Sequence, residues 1–252
     1  CVGLCWSSCT NEVDEFIGNV EPSTRSVSTA LNANLASLFT GGAPTLTSAE
    51  IKEVNDAYAK MTSINCYRNI DEAVRNKTSY AGTIFLDDTY ASAYFRKGSL
   101  AFPPYGILAS SMEHEFIHMY QRDVQGKKVD TDKEKRDTGM MEFELAFYQG
   151  IIRYIHAGYS WTFKGEDGDP SYQSLWTSGL TDPSLIPQYE REFQTYVASI
   201  CANGKPTSID INEFVKWSNI FGEYSRGYSG KGYKFGNYDY GTSCINSLLK
   251  LY

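Results

Sequence analysis

Two histidines and a glutamate have the residue types and the spacing of a metal site with an adjacent base. His114, Glu115 and His118 form a His-Glu-x-x-His motif. On an α-helix, residues four apart lie on one face, so both imidazoles can bind one Zn²⁺ at about 2.0–2.1 Å. Glu115 then lies beside the ion, where its carboxylate can take a proton from a zinc-bound water. The motif therefore predicts a zinc site with Glu115 as general base.

The alternative is that these three side chains lie on an amphipathic helix and bind no metal. The chain has three histidines, and two of them lie in this motif. We therefore prefer the metal site. The third histidine, His156, falls on the more polar side of a later helix, so we expect it to face solvent.

The residues His114, Glu115 and His118 resemble the motif of the zincin metallopeptidases. This resemblance implies a third protein ligand further along the chain. Metzincins continue the motif with a glycine and a third histidine, whereas this chain continues Met-Tyr-Gln-Arg-Asp-Val. The resemblance is therefore to the gluzincins, whose third ligand is a glutamate on a downstream helix. It implies one catalytic Zn²⁺ and a peptide or protein substrate.

The segment from Met140 to Tyr148 predicts such a helix, and it contains Glu142 and Glu144. Glu144 projects from near the middle of the apolar side of this helix, whereas Glu142 falls opposite. A carboxylate buried without a partner costs several kcal/mol, and a dication removes that cost. We therefore predict Glu144 as the third metal ligand and keep Glu142 as the substitute. The alternative for Glu144 is a pairing with a buried arginine or tyrosine.

Length and composition predict one catalytic domain and exclude one class of partner. The chain has 252 residues, of which 42% are hydrophobic and 21% charged, so it can bury a full core. Its formal net charge is −7, and no dense cluster of Lys and Arg offsets it. A polyanion would be repelled, so we expect no nucleic-acid partner. We expect a single zincin-like domain over residues 27–252, acting as a monomer.

We expect an α+β fold that is mostly helical, with a small sheet before the motif helix. Thr47-Ser48-Ala49-Glu50 has the form of a capping box, which starts a helix that runs to about Ile64. Short β-branched or aromatic runs then predict strands within residues 82–87, 93–96 and 99–102. The resemblance to zincins implies that an edge of this sheet binds substrate backbone in extended form.

Several segments between and after these elements are predicted to form loops or further helices. Gln121 to Asp137 is dense in charged residues and has no periodicity, so we expect a solvated loop there. A second long loop is expected from Trp161 to Pro183. Phe221 to Gly241 interleaves glycines with tyrosines, and such a segment could carry the tyrosine that donates to the oxyanion in a zincin. Helices are predicted over residues 187–202, 211–220 and 244–252.

The sequence of residues 1–26 is typical of the remnant of an export signal followed by a tether. Trp6-Ser7-Ser8-Cys9 resembles the cleavage site of bacterial lipoproteins, with Cys9 as the acylated residue and Cys1 as the competing position. We therefore expect an exported protein of the bacterial cell envelope, lipid-anchored in the periplasm or at the surface, or an extracellular protein. No other segment has the roughly 18 apolar residues of a membrane span. The alternative is disulfide pairing of Cys1, Cys5 and Cys9 with Cys66, Cys201 or Cys244.

Two functions are compatible with these features. The first is hydrolysis of peptide bonds by metal-activated water with a glutamate base. The second is a zincin-like, surface-attached binding or scaffold protein without catalysis. The intact Glu115 favours the first, because a binding module has no use for a base beside the ion.

Overall fold

A computed structural model describes residues 30–127, 135–156 and 180–252. These residues are mostly helical with a small sheet, as expected for the α+β class. The described residues form two compact units, which divide between Val124 and Gln125. The expected single domain over residues 27–252 stays a prediction. The predicted tether, with Cys1 and Cys9, lies outside the described residues.

The first unit is built from helices around a three-stranded sheet. The sheet has the order β1-β3-β2, with β1 parallel and β2 antiparallel to β3, so β1 and β2 are its edges. The strands fall within the three predicted runs. The elements are α1 (Ala33–Leu38), α2 (Ser48–Ser63), α3 (Asn65–Lys77), β1 (Ile84–Leu86), β2 (Tyr94–Arg96), β3 (Ser99–Phe102) and α4 (Ala109–Met119), followed by a π-helical turn (Tyr120–Val124).

The start of α2 confirms the predicted capping box. The Thr47 backbone N–H donates to the Glu50 carboxylate at 2.6 Å, and the Glu50 N–H donates to the Thr47 hydroxyl at 3.3 Å. These two bonds satisfy backbone donors that have no partner inside the helix, and such caps are worth about 1 kcal/mol. The boundary of α2 is therefore set by local sequence.

Helices α2 and α3 form the platform on which the motif helix α4 packs. Phe116 of α4 is completely buried, and its ring centroid lies 6.1 Å from that of Tyr58 on α2. The Tyr58 hydroxyl donates to Asp71 on α3 at 2.8 Å, and Arg75 Nε donates to the same carboxylate oxygen at 2.9 Å. Burial and the Asp71 charge raise the pKa of Tyr58, so its hydroxyl keeps the donated proton. This network ties the two supporting helices together.

The second unit is centred on α5, the helix that carries both glutamates. The side chains of α5 from Met140 to Ile155 are buried around nearly the whole circumference, as expected for a central helix. At its end His156 is exposed, which confirms that prediction. The other elements are α6 (Ile186–Ile200), the short strands β4 (Cys201–Ala202) and β5 (Lys205–Pro206), α7 (Ile211–Tyr224) and α8 (Ser243–Leu249); α5 itself spans Lys135–His156.

Aromatic rings fill the space between α5 and its neighbours. The Phe143 ring lies 5.0 Å from Phe214 on α7, and the Phe147 ring lies 5.6 Å from Phe193 on α6. Tilted ring pairs at these separations contribute about 0.5–1.5 kcal/mol each beyond the area that they bury. Within the described residues, no helix has both the length and the apolar character needed to cross a membrane.

The network under α4 leads to a prediction about stability. Asp71 is 1% exposed, so Asp71→Ala leaves the Tyr58 hydroxyl and the Arg75 guanidinium without their acceptor. Removing one partner of a fully buried pair costs roughly 3–5 kcal/mol, and Arg75 is partly exposed, so we expect a loss of about 2–3 kcal/mol. Urea unfolding followed by circular dichroism measures this.

The control is Asp56→Ala, which breaks the exposed Lys52–Asp56 pair on α2. Exposed pairs at this spacing contribute about 0.3–0.5 kcal/mol, so this variant should unfold close to the wild type. Equal losses in the two variants would show that Asp71 has no special role in the platform.

Candidate metal centre

The two motif histidines lie one turn apart on α4 and aim the same ring atom at each other. The Nε2 atoms of His114 and His118 are 3.1 Å apart, and the ring planes meet at 80°. Both side chains are half-buried. Two nitrogen ligands of a tetrahedral zinc ion, each at about 2.0–2.1 Å, would be about 3.3 Å apart. The observed spacing therefore fits one shared ion.

The other ring nitrogen of His118 has a partner of its own. His118 Nδ1 lies 2.8 Å from the side-chain oxygen of Gln121, which is completely buried. The predicted solvated loop from Gln121 is wrong at this point, because the helix continues as a π-helical turn to Val124. Residues 128–134 of that predicted loop lie outside the described residues.

The charged residues of the π-helical turn explain why the sequence predicts a loop here. Arg122 Nε donates to its neighbour Asp123 at 2.9 Å, and the Arg122 guanidinium lies 4.3 Å from the centre of the Phe95 ring on β2. The charges of Arg122 and Asp123 neutralise each other, and the Arg122 side chain packs against the sheet. The sequence alone predicts that both side chains face solvent. The one available signal for Gln121 was its position three residues after His118, which places both on one helical face.

Glu115, the predicted base, is 4% exposed. Glutamates are rarely buried to this extent unless a partner or a function holds them there. Because Glu115 follows His114 directly on α4, its carboxylate is fixed to the same rigid element as both imidazoles. The assignment of Glu115 as a general base stays a prediction.

Glu144 is completely buried, as the helical-face argument predicted. Its carboxylate accepts a hydrogen bond of 2.9 Å from the Tyr240 hydroxyl and another from the Cys244 thiol. Burial and the nearby Glu144 charge raise the pKa of Cys244, so the thiol stays protonated. These contacts match the alternative stated for Glu144, a pairing with a buried tyrosine.

Glu142 lies on the less apolar side of α5 and is half-buried. The Tyr228 hydroxyl donates to Glu142 Oε2 at 2.9 Å. Burial and the Glu142 charge raise the pKa of Tyr233, a second tyrosine of the segment Phe221 to Gly241. The tyrosine-rich segment therefore contributes directly to the surroundings of this carboxylate.

His114, His118 and Glu142 each offer one ligand atom, and these three atoms all lie within 4.8 Å of one another. Such a His-His-Glu group could hold a metal ion. Glu144 does not belong to this group, and its assignment as the third ligand stays a prediction. Because α5 is buried on almost all sides, its apolar face does not by itself distinguish Glu144 from Glu142 as a ligand.

No protein-family model matches the chain, and no curated protein or solved structure matches it either. The likeness to zincins therefore consists of the motif and of the His-His-Glu group. The N-terminal cysteines lie outside the described residues, so their pairing with Cys66, Cys201 or Cys244 stays a prediction.

The buried pairing of Glu144 can be tested through its donor. Tyr240→Phe removes the hydroxyl that bonds Glu144, and a lost hydrogen bond to a buried charged group costs about 2 kcal/mol. We expect the free energy of unfolding to fall by about that amount in a urea titration. The control Tyr238→Phe alters a tyrosine that is 56% exposed, and we expect a change under about 0.5 kcal/mol. Identical curves for the two variants would contradict the structural role of Tyr240.

Proposed function

We propose that the protein is a zinc-dependent peptidase of the gluzincin type. In this proposal His114, His118 and Glu142 hold the zinc ion and Glu115 is the general base. The observation that supports it most strongly is the 3.1 Å approach of the two Nε2 atoms, together with the His114, His118 and Glu142 group, in which one ligand atom of each residue lies within 4.8 Å of the others.

The ligand types favour zinc in a catalytic rather than a structural role. Two imidazoles and one carboxylate are a ligand set that catalytic zinc sites use, and three protein ligands leave a fourth position for water or substrate. Structural zinc sites are instead closed by four protein ligands, most often including cysteine thiolates. Tyr228, which donates to Glu142, would orient this ligand in the way that outer-shell hydrogen bonds orient metal carboxylates.

Glu115 carries the proton transfers of the proposed reaction. A bound zinc ion would lower the pKa of a water ligand toward about 7. Glu115 would accept one proton of the water as the water oxygen bonds to the peptide carbonyl carbon, and it would deliver that proton to the nitrogen as the C–N bond breaks. The second proton of the water stays on the new carboxyl group, so the products are a carboxylic acid and an amine. Because Glu115 is 4% exposed, its charge is little screened by solvent.

The substrate in this proposal is a peptide or protein, and we propose that it lies along the sheet. Strand β2 is an edge of the sheet and packs against the motif helix α4. Free backbone groups at an edge can pair with an extended peptide without reading its side chains. We also propose that the protein is exported to the cell envelope through an acylated Cys9 or Cys1. We propose that it acts as a monomer and has no nucleic-acid partner.

The metal assignment predicts which glutamate variant loses zinc. The purified protein should carry about one equivalent of zinc, measured by inductively coupled plasma mass spectrometry. His118→Ala and Glu142→Gln should each lose it, because each removes a ligand. Glu144→Gln should retain zinc, because Glu144 is held by Tyr240 and Cys244.

Zinc contents opposite to those expected would change the assignment of the ligands. Loss of zinc in Glu144→Gln with retention in Glu142→Gln would make Glu144 the third ligand, as the apolar-face argument predicts. Full zinc content in His118→Ala would place the metal outside this motif and contradict the proposed function.

The base assignment predicts a loss of rate without a loss of metal. Glu115→Gln keeps the size of the side chain but cannot accept the proton, so hydrolysis should fall by about 10²–10⁴-fold while zinc stays bound. The control is Glu113→Gln, which changes a half-buried glutamate two residues away on α4 and should stay within about twofold of the wild type. The assay is cleavage of a fluorogenic peptide library. Zinc in the wild type with no cleavage of any library member would favour the binding or scaffold protein.

A further inference from the structure

The π-helical turn Tyr120–Val124 follows the motif helix without a break and carries one buried amide toward a motif histidine. π-helical turns are rare and occur frequently at functional sites. Gln121 is completely buried here, and its side-chain oxygen lies 2.8 Å from His118 Nδ1. A buried glutamine in contact with a ring nitrogen of a proposed metal ligand suggests a role in orienting that ligand.

The chemistry of this contact determines which nitrogen of His118 carries the hydrogen. An amide oxygen only accepts hydrogen bonds, so Nδ1 must be the protonated, donating nitrogen. In the neutral ring the lone pair is then on Nε2. Nε2 is the atom that lies 3.1 Å from His114 Nε2, at the place of the proposed ion.

We propose that Gln121 is the positioning residue of the metal centre, which fixes His118 as the Nδ1–H tautomer with Nε2 directed at the ion. This inference rests on the proposed function, because it assumes that His118 is a zinc ligand. Metal-binding histidines generally donate their second N–H to an acceptor of this kind, and losing that acceptor costs about 10–100-fold in metal affinity.

The two residues that follow Gln121 anchor the turn that carries it. The Asp123 carboxylate accepts hydrogen bonds from the Tyr80 hydroxyl and from Arg122. The Arg122 guanidinium in turn lies over the Phe95 ring at 4.3 Å. Gln121 therefore projects from a turn fastened to the sheet, and a supporting residue held in this way can fix a ligand to within a fraction of an ångström.

An amide also suits the charge of the site better than a carboxylate would. Gln121 is completely buried. A carboxylate at this position would have to be desolvated, whereas the amide accepts the same hydrogen bond without a net charge.

The first test is the tautomer of His118 in the metal-free protein, read from ¹⁵N chemical shifts of the imidazole nitrogens. Wild type should show the Nδ1–H form. Gln121→Met, which is similar in length but has no strong acceptor, should shift His118 toward the Nε2–H form or a mixture. Gln121→Glu, which keeps an acceptor oxygen, should restore the Nδ1–H form. An unchanged Nδ1–H tautomer in Gln121→Met would overturn the proposal.

The second test is zinc affinity by competition with a chromogenic chelator. Gln121→Met should bind zinc about 10–100-fold more weakly than the wild type, and Gln121→Glu should recover most of that loss. The matched control is Gln149→Met, which removes another buried glutamine from α5, a helix that carries neither His114 nor His118. Equal weakening in the control would assign the effect to general destabilisation and overturn the positioning role.

The two tests separate this proposal from the proposed function. A wild type that binds no zinc would contradict the metal site, and the tautomer measurement would still decide whether Gln121 sets the ring of His118. Zinc binding in the wild type that is unaltered in Gln121→Met would leave the metal site intact and remove Gln121 from it.

Discussion

The candidate metal centre depends most on the close approach of two imidazole nitrogens on one helix. Two lone pairs 3.1 Å apart repel each other unless a proton or a cation lies between them. The contact with Gln121 assigns the hydrogen of His118 to the far side of its ring, which leaves Nε2 as an acceptor. A lone pair on His118 Nε2 can accept a hydrogen from His114 or bind a metal ion, and the His-His-Glu group could hold such an ion.

Buried carboxylates are the second feature that organises the two units, and each is stabilised in its own way. Asp71 is paired with Tyr58 and Arg75 and ties the helices under α4 together. Glu144 accepts from Tyr240 and Cys244 within the core around α5. A buried carboxylate with such donors is satisfied without a metal ion. Burial alone therefore does not distinguish a metal ligand from a structural carboxylate.

The helical periodicity of α5 does not by itself decide between Glu142 and Glu144 as the candidate metal ligand. The apolar side of a helix marks a ligand only when the opposite side faces solvent, and α5 is buried on nearly all sides. The more polar side of such a helix can also carry a ligand. Glu142 lies there with a hydrogen bond from Tyr228, and it shares ligand spacing with both histidines.

The sequence by itself determined the histidine pair, the capping box at Thr47, the three strand segments and the burial of Glu144. Each of these depends on residues within one or two turns of each other, so local spacing is sufficient. The tertiary structure alone decided the partners of Glu144, the grouping of Glu142 with the histidines and the π-helical turn that brings Gln121 to His118. These features depend on contacts between segments far apart in the chain, such as Arg122 with Phe95 or Tyr240 with Glu144, and no local pattern encodes such contacts.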